Sequence, residues 1–132
     1  MTQFLTQNFV VAYHARLIDA FGGIHGLRDP ALLESALAQP RATFGGEYLH
    51  PDIWSMAAAY GFHLCRNHAF LDGNKRIAAV AIGAFLAING HEVEFDEVDF
   101  YLVICDLAEG KLDKPALTTW LRDHARACVP RQ

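Results

Sequence analysis

The sequence predicts an all-α fold of about six helices around a central apolar helix, and three observations carry that prediction. Apolar residues recur at helical spacing along most of the chain, with no internal repeat or low-complexity tract. The periodic stretches are bracketed by helix punctuation, with Asp at their starts and Gly just past their ends. One of them, IAAVAIGAFLAI, is apolar on every side, which outside a membrane means a helix surrounded by other helices. At 132 residues and 52% hydrophobic content, residues 1–132 fit one domain with a core of its own.

Helix one is expected over Gln7–Phe21, with Phe9, Tyr13, Leu17 and Phe21 on one stripe and Gly22-Gly23 ending it. Helix two opens at Asp29-Pro30, a capping acceptor followed by proline at the first helical position. It runs through ALLESALAQ and stops before Pro40. From Pro40 to His50, around Gly45-Gly46, the chain reads as a loop free to move. Helix three begins near Pro51-Asp52 and ends near Asn67, and helix four, the apolar one, runs from Asn74 to Asn89 with Gly90 as its stop. HEVEF then alternates, but it is too isolated to make a sheet. Helix five is expected from about Asp96 to Glu109, stopped by Gly110, and helix six from Lys114 to Ala127 with Asp113 as its cap.

Composition narrows the function. A formal net charge of -4 disfavours a nucleic-acid partner, which needs a cationic surface. There is no apolar run of membrane-spanning length and no cationic-then-apolar start, so the expectation is a soluble, unprocessed, cytoplasmic chain without a membrane partner. Cys65, Cys105 and Cys128 are odd in number and widely spaced, which suggests reduced thiols. No H-E-x-x-H occurs, the cysteines lack zinc spacing, and His124 with Cys128 supplies only two ligands. No Ser-His-Asp or Cys-His nucleophile can be argued.

What remains is the nine-residue run His68–Arg76, HAFLDGNKR, between helices three and four. The first N–H groups of a helix have no intrahelical partner and sit at the positive end of its dipole, so they attract phosphate. Gly73 lets a ligand approach the backbone, Asn74 is placed to cap the helix or donate to an oxyanion, and Lys75 and Arg76 add positive charge. Asp72 would be out of place at a pure anion site, but it suits Mg²⁺ arriving with phosphates. His68, across the same loop, has the chemistry of a base for an incoming hydroxyl. Phe70 is assigned to the core. Singly, each residue has an ordinary reading as a loop histidine, an Asp-Gly turn or a solvated cation pair. Together they are the parts of a phosphoryl- or nucleotidyl-transfer site.

His68, Phe70, Asp72, Gly73, Asn74, Lys75 and Arg76 fill every fixed place of H-x-F-x-[D/N]-[A/G]-N-K-R, and here the chain resembles the Doc (death-on-curing) branch of the Fic/Doc family. GGIHGLRDPALLESALAQPRATFGG, FLAINGHEV and LAEGKL extend the resemblance over roughly Gly22 to Leu121. Ala69 stands where proline is frequent and Ile77 where threonine is frequent; neither removes a chemical group. The resemblance implies a toxin that uses ATP and Mg²⁺ to move the γ-phosphate to a protein hydroxyl, a threonine of elongation factor Tu, and so arrests translation. It implies His68 as general base, Asp72 as Mg²⁺ ligand, and Gly73, Asn74, Lys75 and Arg76 as phosphate contacts. Arg66 either reaches the same site or is a helix-end cation. The implied partner is a cognate antitoxin of the prevent-host-death type or similar.

Two alternatives stand beside this. Fic-type AMP transferases carry H-P-F-x-x-G-N-G-R-x-x-R, from which the chain departs at Lys75 and Ala79. A non-catalytic antitoxin- or protein-binding module would leave the assembled base, carboxylate and cations unexplained. Cys105 to Gly110, CDLAEG, nearly matches the self-inhibitory [S/T]-x-x-x-E-[G/N] of some Fic proteins, but a helix ending at Glu109-Gly110 is the simpler account. Ser35 and Thr43 are read as structural.

Overall fold

Six helices follow one another in a computed structural model that describes residues 1–128: α1 (Gln7–Phe21), α2 (Pro30–Ala38), α3 (Ile53–Asn67), α4 (Asn74–Ile88), α5 (Glu97–Ala108) and α6 (Lys114–His124). The predicted all-α fold is the one observed. Local chemistry sets the helix starts. Thr6, Asp29, Asp52, Asp96 and Asp113 each accept a backbone N–H with the side chain, and Asp52 forms a reciprocal capping box with Ser55. α4 alone begins without such a cap, at Gly73.

α3 and α4 share the centre. α3 packs against α2, α4, α5 and α6, while α4 touches α1, α3 and α5. The run Met56–Gly61 of α3 is buried without a break. Small residues make that possible: a Cβ on Gly61 would collide with Ile82 of α4, so glycine sets how closely the two helices approach. Tyr60 is fully buried beside Phe85, and its hydroxyl accepts the Leu5 N–H at 2.9 Å, tying down the N-terminal segment. Burial pushes the Tyr60 phenol up to about 12.

Four expectations need correction. The buried stripe of α1 is Val10, His14, Leu17 and Ile18, while Phe9 and Tyr13 are half-buried and Phe21 is exposed. A buried histidine had hidden the true stripe from a reading based on apolar residues. The segment from Pro40 to His50 contains a hairpin, β1 (Thr43–Phe44) against β2 (Glu47–Tyr48), turned by Gly45 and Gly46 at positive φ. α6 ends at His124, three residues early. The chain then extends so that β4 (Arg126–Ala127) pairs antiparallel with β3 (Val93–Glu94). HEVEF is therefore not isolated: its partner lies more than 30 residues downstream, beyond any local pattern.

Candidate active site

The loop between α3 and α4 is held by a strap, residues 23–29, that links α1 to α2. Ala69 carbonyl accepts from the Arg28 and Asp29 N–H groups, and Leu71 N–H donates to Gly26 carbonyl. Leu27 and Phe70 form an antiparallel bridge. The Arg28 Nε donates to His68 carbonyl at 2.8 Å. That bond braces the one non-glycine residue at positive φ among those described: His68, at φ 50° and ψ 48°, caps α3. A left-handed L-residue costs about 1–2 kcal/mol, and the strap supplies the contacts that offset it.

Each candidate residue has a definite place. The His68 side chain is on the exposed side of the loop and Phe70 is in the core, 2% exposed, as expected. The exposed Asp72 accepts the Ile24 N–H with one carboxylate oxygen at 3.1 Å and the Gly73 N–H with the other at 2.8 Å. Gly73 sits at φ 74°, and a Cβ there would press on Ile18, so backbone shape and packing both favour the glycine. Asn74 also turns back onto the loop. Its side chain bonds both backbone groups of Phe70, Nδ2 to the carbonyl at 3.0 Å and Oδ1 from the N–H at 3.1 Å. It clamps the loop, and leaves its backbone N–H and its second Nδ2 hydrogen for an anion.

The uncapped end of α4 opens into a cleft of about 920 Å³ whose lining includes His68, Asp72, Gly73, Asn74, Lys75 and Arg76. Arg76 also lies over the Phe21 ring, 4.8 Å from its centroid. Arg66 is not among the lining residues; its guanidinium lies against Gly110, at the turn between α5 and α6. The far wall is one face of α5, with Glu97, Phe100, Tyr101, Ile104, Cys105 and Ala108 at helical spacing. Glu109 follows as the C-cap of α5 and pairs with Lys111 at 2.8 Å, so the simpler account of CDLAEG holds.

The donor set fits Mg²⁺. Asp72 offers one oriented carboxylate at the cleft, with lone pairs left on both oxygens. Among the described residues no three His, Cys, Asp or Glu side chains gather into a metal cage. A hard cation that completes its shell with phosphate oxygens and water suits such a site, and a protein-caged metal does not.

Sequence reasoning passed over the braces. His14, Arg28 and the strap glycines show no motif of their own, although Gly23 is as constrained as Gly73: a Cβ there would lie 2.7 Å from the Asp72 carboxylate. A second histidine cluster was equally invisible. Lys114 Nζ donates to His63 Nε2 at 2.9 Å, and Nδ1 of the nearby His50 is buried without a partner among the described residues. Burial first, then Lys114 and His50, push His63 down to about 4.

Over 77 residues the chain is 48% identical to the Toxin Doc of Mycolicibacterium smegmatis, an overlap of 58% of this chain and 59% of that relative. The chain thus spans about three-fifths of that relative's length. It is 29% identical over 113 residues to the Protein kinase doc of Escherichia phage P1, covering 86% of this chain and 88% of the phage protein. The Fic/DOC family model matches residues 4–86, which take in α1, the strap, the motif loop and nearly all of α4, and the chain belongs to that family.

Proposed function

We propose that this chain is a Doc-type toxin whose cleft transfers the γ-phosphate of ATP to a protein hydroxyl and thereby arrests translation. One observation carries the reading. The histidine, the carboxylate, both cations and the one helix start without a side-chain cap all line the same cleft. The toxin and kinase names of the two relatives support it.

In this reading the γ-phosphate lies at the N-terminus of α4, where unpaired N–H groups, Lys75 and Arg76 meet its charge. His68 takes the proton from the acceptor hydroxyl as its oxygen bonds the γ-phosphorus, while the bond from that phosphorus to the β,γ-bridging oxygen breaks and ADP leaves. Asp72 would hold Mg²⁺, which when bound would supply positive charge at the phosphate oxygens. The strap keeps all of these in register by holding the loop backbone, and leaves the His68 ring free to act. The target implied by resemblance is a threonine of elongation factor Tu, which places the activity in the cytoplasm. A cognate antitoxin is the partner that a toxin of this kind requires.

Two features favour phosphate over AMP transfer. Lys75 lines the cleft where the AMP-transferring branch has glycine, and Ala79 lines it where that branch has arginine. The test is incubation with ATP labelled separately at the α and γ positions in a translation extract. Transfer of γ label is expected. Transfer of α label would make the chain an AMP transferase, and no transfer would favour a binding module.

A further inference from the structure

The geometry points to His14 as the positioning residue that sets the Asp72 carboxylate for the metal. The inference rests on the phosphotransfer reading above and names a residue outside the motif.

His14 lies in the middle of α1 and is 3% exposed. Its Nε2 is 2.7 Å from the Asp72 carbonyl oxygen. A carbonyl only accepts, so Nε2 carries the hydrogen and donates. The imidazole also stacks on the Phe70 ring, with centroids 3.7 Å apart and planes 12° from parallel. A Cβ built on Gly73 would lie 3.4 Å from Nε2. One ring therefore contacts Asp72 and Phe70 and lies close beneath Gly73, three fixed positions of the motif.

The consequence falls on Asp72. His14 holds its main chain, while Ile24 and Gly73 N–H groups hold its two carboxylate oxygens. With both ends fixed, the carboxylate is aimed before any ligand arrives. Packing alone does not require histidine here, since a phenylalanine fills similar space without burying polar nitrogens. What histidine adds is a donor at the Asp72 carbonyl. His14 does not line the cleft, so it acts through Asp72 and is not itself catalytic.

Two variants separate the donor from the stack. His14→Phe keeps an aromatic face on Phe70 and removes the donor; His14→Gln keeps a donor and removes the aromatic face. Mn²⁺ binding is followed by electron paramagnetic resonance on the full chain with a non-hydrolysable ATP analogue, beside thermal melts and the Mg²⁺ dependence of transfer. His14→Phe should need roughly 10-fold more metal, as loss of a partner behind a metal ligand typically does, with affinity for the metal-free analogue unchanged. His14→Gln should restore most of the metal affinity. A wild-type metal titration in His14→Phe would overturn the inference, and so would equal impairment of both variants. Should His14→Phe fail to fold, His14→Gln alone decides: near-normal metal affinity supports the donor role, and weakened affinity refutes it. If the wild-type chain binds no metal with the analogue, the phosphotransfer reading itself fails and takes this inference with it.

Discussion

Two places in this molecule bring histidine and cation together, and they behave in opposite ways. At the motif loop, the exposed His68 shares a cleft with Lys75 and Arg76. At the other, between α3 and the start of α6, His63 accepts directly from Lys114 beside His50. The residue types match; the allocation of hydrogen bonds does not. Around His68 the backbone does much of the holding, through Arg28 and the strap, and the His68, Lys75 and Arg76 side chains line the cleft. Around His63 the side chains bond each other, and a partly dry site keeps the imidazole neutral. Proximity of histidine and cation is thus a poor sign of chemistry. A braced backbone beneath free side chains is a better one.

The sharpest way to break the comparison is to delete each histidine. His68→Ala should lower transfer by about 10²- to 10⁴-fold, the usual cost of losing a general base, with the melt unchanged. His63→Ala should leave transfer intact. Equal losses in a paired activity and melting assay would erase the distinction.

A smaller effect is expected at Lys75. Lys75→Gly removes a positive charge from the cleft and should lower phosphotransfer on the order of 10²-fold. Some AMP transfer can appear as the cleft opens, limited by Ala79, which offers no guanidinium. Intact-mass spectrometry of the target tells a phosphate from an adenylate adduct. Unchanged phosphorylation would show that Lys75 neither binds phosphate nor sets the nucleotide's pose.

Arg28→Ala tests the brace itself. It removes the charged donor to the His68 carbonyl, and because Arg28 is exposed the stability loss should be about 1 kcal/mol, measured by urea unfolding. Transfer should fall with it, since His68 then leaves its left-handed conformation more easily. An Arg28→Ala protein with wild-type stability and transfer would mean that the strap is ornamental.

The mildest test is acid. His63 titrates near 6.5 when unfolded and near 4 when folded, so between those values the unfolded chain binds the extra proton. Stability should fall as pH drops from about 6.5 to about 4, with His50, also shifted down by burial, adding in the same direction. His63→Gln should flatten that slope in melts across the range. A slope unchanged by the substitution would place the acid sensitivity elsewhere.

Much of this was legible because it is local. Asp29, Asp52 and Asp113 cap helices within three residues of themselves, so their starts could be read directly. HAFLDGNKR is contiguous, so its chemistry stands out in one glance. The unread parts depend on residues far apart in sequence. Asn67 reaches Leu32, Arg28 reaches His68, and His14 reaches Asp72 across 58 positions. The hold of the Asn74 amide on the carbonyl and N–H of Phe70, four residues back, has no signature in the motif. Of the two readings of Arg66, the helix-end cation fits its place, with the guanidinium against Gly110. The α5 wall has no signature beyond ordinary amphipathic spacing, so only the fold could bring it across from the motif.

The central claim is that the His68 loop is a nucleotide–metal site and the His63 cluster is not. Nuclear magnetic resonance of the histidine rings, as Mg²⁺ and a non-hydrolysable ATP analogue are added, tests it most directly. The account predicts that the His68 ring and the Gly73 amide shift together, while His50 and His63 stay where they were. A still His68, or a response centred on His63, would contradict it.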